Sequence, residues 1–206
     1  MLLISNAALI SNAAGSAAGS AASPVIEDRI LQAAASCVVD YGVERVTLTE
    51  IARRAGVSRP TIYRRWPDTR AILAALLTAR IISVLRDAPL RGAGREAVVK
   101  RIVTVAERLR RDDVIMSVLR SAPELAMVYI AERLGSSQLI LIDALATELL
   151  AAQQDGSVRP GDPRRLAAMV LLITQSTISS AQIVEPMLGA DELAAELAYS
   201  LNGYLS

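Results

Sequence analysis

From Pro24 almost to its last residue the chain places apolar side chains at three- and four-residue spacing, the period of helices with one buried face. Ile26, Ile30, Ala33, Ala34, Cys37 and Tyr41 form the inward stripe of a first helix, about Val25–Tyr41, and Gly42 stops it. Thr47-Leu48-Thr49-Glu50 sets a Glu three residues after a capping Thr, so that each side chain can satisfy the other residue's backbone donor. A short second helix therefore starts there, and Gly56 suits the left-handed conformation that ends it. Ser58 predicts the cap of a third helix, whose first turn tolerates Pro60 because it needs no internal donor. Trp66-Pro67-Asp68 closes that helix, and Asp68 or Thr69 opens a fourth running to about Asp87.

Breaks at Pro89–Gly94, Pro123, Gly135, Gly156–Pro163 and Pro186–Gly189 divide the remainder. Between them lie predicted helices near Arg95–Arg111, Asp112–Ser121, Glu124–Leu134, Ser136–Gln154, Pro163–Val184 and Ala190–Tyr204. The pattern predicts an all-α protein of about ten helices without a strand.

Composition narrows the chemistry. Hydrophobic residues make up 52% of the 206 and aromatics only 3%, with no Phe, so Leu, Ala, Val and Ile must fill the core. No window reaches the ~18 consecutive apolar residues of a membrane span. The nearest approach, Leu166–Ile173, is broken by Thr174, Gln175 and Ser176, and no membrane association is expected. The chain has no His, which excludes Ser-His-Asp and Cys-His catalysis and His-ligated metals. Its single Cys37 lies on the inward stripe of the first helix and reads as a buried, inert thiol in preference to a redox sensor. One cysteine also fits a reducing cytoplasm. No catalytic residue, metal or cofactor is expected. Met1–Ser23 is rich in Ala, Ser, Asn and Gly without a charged side chain, and residues 1–24 read as a low-complexity extension or an artificial start. A signal peptide fits less well, for the segment lacks a basic start and its apolar patches are broken.

The net charge of +1 hides a partition. From Glu27 to Arg80 there are nine Arg against six acids, and the rest has thirteen basic against fifteen acidic residues. Within Arg53–Arg70 six Arg face one Asp, a local excess suited to a polyanion. Two short helices joined by Ala55-Gly56-Val57-Ser58 have the form of a helix-turn-helix, whose second member enters the major groove. By helical period Ile51, Ala52, Ala55, Val57 and Ile62 turn inward. Arg59, Thr61, Arg64 and Arg65, with the tip of Tyr63, face outward. A guanidinium can pair with guanine N7 and O6 and a Thr methyl can meet a thymine methyl. Arg65 and a tyrosine hydroxyl suit phosphate oxygens. Arg53 and Arg54 are phosphate candidates that read better as a solvated helix face.

The run Thr47 to Asp68 (Thr-Leu-Thr-Glu-Ile-Ala-Arg-Arg-Ala-Gly-Val-Ser-Arg-Pro-Thr-Ile-Tyr-Arg-Arg-Trp-Pro-Asp) closely resembles the N-terminal signature of the tetracycline-repressor (TetR) family. The likeness covers roughly Val25–Leu73. Beyond Pro89 only helix content and order agree. The resemblance implies a helix-turn-helix DNA-binding domain at 25–70 and a helical effector-binding and dimerisation domain at 71–206. It places Arg59, Thr61 and Tyr63 toward the groove, joined here by Arg64, and Thr47, Thr49, Tyr63 and Arg65 at phosphates. Two departures stand out. The family's phosphate-contacting Lys at the start of the fourth helix is Thr69 here, a hydroxyl without charge, so that either Arg70 beside it takes over the contact or the contact weakens, and Trp66 replaces a common Phe.

Leu166, Met169, Val170, Ile173 and Thr177, with Leu193, Leu197 and Leu201, form apolar stripes that a monomer core and an interface explain equally well. The resemblance favours a four-helix homodimer seam. It further implies a small apolar effector in a cavity among the middle helices, with Met116, Leu119, Met127 and Tyr129 as candidate lining against the ordinary use of Met as core filler. The effector would favour a conformer in which the fourth helix has swung. A dimer with recognition helices about 34–36 Å apart would read a near-palindromic operator. Two other classes remain to be tested. A helical enzyme has only Asp112-Asp113 in its favour, and neighbours on a helix diverge by ~100°. A protein–protein adaptor would keep the helix-turn-helix as scaffold alone.

Overall fold

A computed structural model describes residues 24–121 and 136–206. The predicted helix Glu124–Leu134 and the residue 1–23 segment lie outside the described residues. Among the described residues there are nine α-helices and one 3-10 turn, with no strand. The helices are α1 (Pro24–Tyr41), α2 (Leu48–Ala55), α3 (Arg59–Tyr63), α4 (Thr69–Asp87), α5 (Gly94–Arg111), α6 (Asp113–Ser121), α7 (Ser136–Gln154), α8 (Pro163–Val184) and α9 (Ala190–Leu205). The 3-10 turn, Val43–Arg45, lies in the link between α1 and α2.

The chain divides into two compact units, one containing residues 24–82 and 113–121, the other 83–112 and 136–206. Unit 1 thus extends past the expected boundary at residue 70 and includes α6. Its core is aliphatic: Ile30, Val38, Ile51, Ile62, Ile72 and Val114 are fully buried. Val43, the first residue of the 3-10 turn, and Val46, just after it, are buried in this core. Gly42 adopts φ 75°, the left-handed region where a side chain is strained, and so ends α1. Tyr41, expected inward, is 44% exposed instead. Its ring lies beneath the Arg54 guanidinium, 4.7 Å from centroid to Cζ, because the last turn of α1 projects beyond the core.

In unit 2, α5, α7, α8 and α9 surround Val98, Ile142, Leu149, Leu166, Val170, Leu197, Leu201 and Leu205. Asp162 caps α8 by accepting the Arg164 and Arg165 N–H groups at 2.8 and 3.0 Å, with Pro163 pre-set in the first turn. Arg159 closes the end of α9: its Nε donates to the Tyr204 carbonyl at 2.8 Å and its guanidinium stacks on the Tyr204 ring. Inside the unit sits a charge pair that hydrophobic patterning did not predict. Arg101 and Glu148 form an ion pair with side chains 12% and 6% exposed. Arg101 Nε also donates to the Ala88 carbonyl at 2.6 Å and a terminal nitrogen to that of Leu85 at 3.3 Å, capping the end of α4. Arg101 follows Val98 by three residues and Glu148 precedes Ala152 by four, so both charges occupy inward positions of apolar stripes. That misplacement was the available signal.

The expected dimer-seam residues do not share one face. Leu166, Val170, Leu193, Leu197 and Leu201 are buried in their own subunit's core and have no surface to offer a partner. Met169 is 42% exposed, while Ile173 and Thr177 are half-buried. The apolar period does not separate the two faces of α8, because both are apolar: its outer side carries Met169, Leu172 and Ile183 among Arg165, Ser176 and Ser179. For the same reason α8, at 22 residues, is by length and composition long and apolar enough to cross a membrane. Its other face packs against α7 and α9, as a core helix does.

Candidate nucleic-acid interface

The helix-turn-helix is held by a core so small that each contact matters. Ile51, Ala52, Ala55 and Ile62 are buried, Val57 packs against them, and Trp66 closes the far end. Small Ala at 52 and 55 lets α3 approach α2 closely, while Ile51 and Ile62 lock the pair against the rest of unit 1. Gly56 provides the turn with φ 62° and ψ 36°, and the Val57 N–H reaches back to the Ala52 carbonyl at 3.1 Å.

Both helix starts depart from expectation. Thr47 Oγ1 accepts the Glu50 N–H at 3.2 Å, as predicted, but no bond returns from the Glu50 carboxylate to the Thr47 N–H. Glu50 instead accepts Arg53 at 2.8 and 2.6 Å and Arg54 at 3.0 Å, for two guanidiniums outbid one amide. These hydrogen bonds, led by Arg53 and then Arg54, hold the Glu50 carboxyl down to about 2. Ser58 sits at the cap position of α3 without a capping bond, its hydroxyl meeting that of Thr61 at 2.8 Å. Thr61 is half-buried, with its hydroxyl already engaged. Asp68 caps α4 through the Ala71 N–H at 2.7 Å, beside a half-buried Thr69.

The six arginines of the Arg53–Arg70 segment fall into two sets. Arg53 is held by Glu50. Arg54 is tied to Asp40 at 2.6 Å and to Glu50, a staple between α1 and α2 in place of the expected solvated position. Arg65 pairs with Glu27, from the first turn of α1. The other three, Arg59, Arg64 and Arg70, are exposed and form no ion pair among the described residues. Tyr63 is 52% exposed, one turn beyond Arg59 on α3, and Thr47 and Thr49 are exposed at the start of α2. The outward surface of α3 and its flanks is therefore a cluster of unpaired guanidiniums with a phenol and hydroxyls among them. Guanidiniums of this kind supply both phosphate neutralisation and bidentate base contacts.

The other expected sites resolve less. Met116 is partly buried on α6 in unit 1. The Leu119 side chain, Met127 and Tyr129 lie outside the described residues. Cys37 is fully buried, and burial pushes its thiol pKa up, away from reactive thiolate. Among the described residues no cluster of potential metal ligands occurs.

A short helix braced at a fixed angle by a capped neighbour, with its cations turned outward, defines a helix-turn-helix DNA-binding protein. Residues 30–76 match the family described as bacterial regulatory proteins, tetR family. The chain is also 68% identical over 177 residues to the uncharacterized HTH-type transcriptional regulator Rv2250c of Mycobacterium tuberculosis strain H37Rv, spanning 86% of this chain and 93% of that protein. The chain belongs to the tetR family and is a DNA-binding transcriptional regulator.

Solved structures share the fold. The Rhodococcus erythropolis TetR-family transcriptional repressor QsdR aligns with TM-score 0.65 at 20% identity, covering 88% of this chain and 96% of that one. The Bacillus subtilis regulator FadR, in complex with stearoyl-CoA, aligns with TM-score 0.60 at 21% identity, covering 87% and 97%. These relationships set aside the adaptor alternative.

Proposed function

We propose that this regulator is a homodimeric, effector-responsive repressor of a near-palindromic operator, acting in the cytoplasm without catalysis. The observation that carries the DNA side is the division of the arginines. Acids neutralise Arg53, Arg54 and Arg65, whereas Arg59, Arg64 and Arg70 stay open at and beside the recognition helix. Arg59, Thr61, Tyr63 and Arg64 read bases, and Thr47, Thr49, Arg65, Thr69 and Arg70 position the helix on phosphates. In this division of work residues 25–70 bind DNA and 71–206 bind effector and partner copy.

Repression and effector response are supported by the fold shared with a repressor and with a regulator bound to stearoyl-CoA. The effector is a small, mainly apolar molecule that favours the conformer with weaker operator affinity. Near-complete switching needs about 5.5 kcal/mol of differential affinity. The partner surface is the outer side of α8, where Met169, Leu172 and Ile183 are 42%, 56% and 77% exposed, together with Tyr199 of α9 at 80%. Burial of such a patch between copies removes it from water. Leu172→Asp should then halve the sedimenting mass, and an unchanged mass would remove this face from the interface. The test of the whole reading is a gel shift with DNA flanking the protein's own gene. Retention that Arg59→Ala weakens supports it, and absence of any salt-dependent retention overturns it.

A further inference from the structure

Within unit 2 the start of α5, the loop between α7 and α8 and the end of α9 enclose a cleft of about 590 Å³. Two guanidiniums line it, those of Arg95 and Arg159, and no Asp or Glu does. Gly94 brings the start of α5 against the loop: at φ 77° it has no side chain where a Cβ would lie 3.0 Å from Ser157 Oγ. The Arg95 N–H donates to that oxygen at 2.8 Å. Gln153 Nε2 holds the loop itself through the Arg159 and Gly161 carbonyls, each at 2.9 Å. These bonds fix the walls and leave the guanidinium of Arg95 unused. Its Nε is buried without a hydrogen-bond partner, whereas buried donors are nearly always bonded. Arg159 engages only its Nε, with the Tyr204 carbonyl. Neighbouring carboxylates are committed elsewhere: Asp155 accepts the Ser157 backbone N–H at 2.9 Å and Asp162 caps α8. Among the described residues neither arginine forms an ion pair, with a side chain or with the carboxylate of Ser206.

We propose that this cleft is a binding site for a small organic carboxylate. A guanidinium presents paired N–H donors at the spacing of two carboxylate oxygens, and Arg95 supplies that fork with its free Nε included. Arg159 adds a second positive charge, and the start of α5 the positive end of its dipole. Val158 and Pro160 border the cleft with apolar surface, which favours an acid carrying an apolar body over a bare inorganic ion. A carboxylate held there bridges α5, the α7–α8 loop and the end of α9. The site shares no residue with the recognition surface or with the outer face of α8, so the inference stands apart from the DNA-binding reading.

The experiment titrates benzoate into the full chain at constant ionic strength and follows the arginine Nε–H signals by NMR, with thermal melting as the folding control. Benzoate should shift the Arg95 signal in a saturable way as the free donor gains an acceptor. Benzamide, of the same shape without the charge, should leave that signal in place. Arg95→Gln should weaken benzoate binding roughly tenfold or more, the effect of losing a charge-assisted hydrogen bond. Arg108→Gln removes an exposed guanidinium in the last turn of α5 and should leave benzoate binding unchanged. Arg95→Lys keeps the charge but not the fork; it should also weaken binding, and it supplies the reading if the Gln variant folds poorly. An Arg95 signal that benzoate does not move, or moves no more than benzamide does, would overturn the proposal. So would equal losses for Arg95→Gln and Arg108→Gln, or inorganic phosphate binding as tightly as benzoate. None of these outcomes bears on DNA retention, so the regulator reading stands or falls separately.

Discussion

The two units place charge in opposite ways. In unit 1 the ion pairs lie around the rim of the helix-turn-helix, the core is apolar, and three guanidiniums without an ion pair among the described residues face outward. In unit 2 the most buried pair, Arg101–Glu148, is inside, while the outer face of α8 shows Met169, Leu172 and Ile183. A surface of unpaired cations is soluble alone and gains by meeting a polyanion. A surface of exposed aliphatics is costly alone and gains by meeting its like. The polarity of each unit thus indicates the kind of partner it takes.

The largest effect should come from breaking the inverted arrangement of unit 2. Glu148→Ala leaves Arg101 buried without a counter-charge and should cost about 3–5 kcal/mol in denaturant unfolding. Arg101→Met with Glu148→Leu removes both charges and should restore most of that loss, because matched apolar replacements of buried pairs are often near neutral. If the double variant is as unstable as the single one, the Arg101 bonds to the Leu85 and Ala88 carbonyls outweigh the pair itself.

A smaller effect tests the outward charge of unit 1. Arg59→Ala should weaken operator binding by about 1–3 kcal/mol and relax preference at one base position, leaving stability unchanged. An equal loss on every sequence would instead make Arg59 a phosphate contact. Binding to a set of single-base operator variants distinguishes the two.

The helices were legible because caps and breakers agree with the apolar period. Pro163, Gly42 and Gly56 fall where the chain turns, and α7 and α8 have the bounds expected of them. The recognition surface was legible in outline, since a five-residue helix with Ile62 inward leaves few options for Arg59, Tyr63 and Arg64. Pairing was not. Periodicity says that Arg54 and Arg65 lie near a surface, but their partners Asp40 and Glu27 come from another helix, and sequence distance hides such contacts. The seam was not legible for a different reason: α8 is apolar on both sides, so its period cannot say which faces the core. Leu166 and Val170, which fit core and seam equally by sequence, are buried, and Leu172 and Ile183 are the exposed residues.

The smallest effect sharpens the account of the rim. Glu50 has its folded-state pKa lowered from 4.5 to about 2, chiefly by Arg53 and then by Arg54. A depressed carboxylate contributes stability that is fully present above its unfolded value and is lost as pH falls through the folded one. The bracing of α2 by Glu50 should therefore be intact above about pH 4.5 and fade toward pH 2. Carboxyl NMR should find a midpoint near 2 for Glu50, and Arg53→Ala should move it upward because the leading hydrogen bonds are gone. A Glu50 midpoint at the ordinary carboxylate value in wild type would mean that the Arg53 and Arg54 contacts do not persist in solution. Two more guanidiniums would then be open beside the recognition helix, and the contrast between paired and unpaired arginines would lose its sharpness.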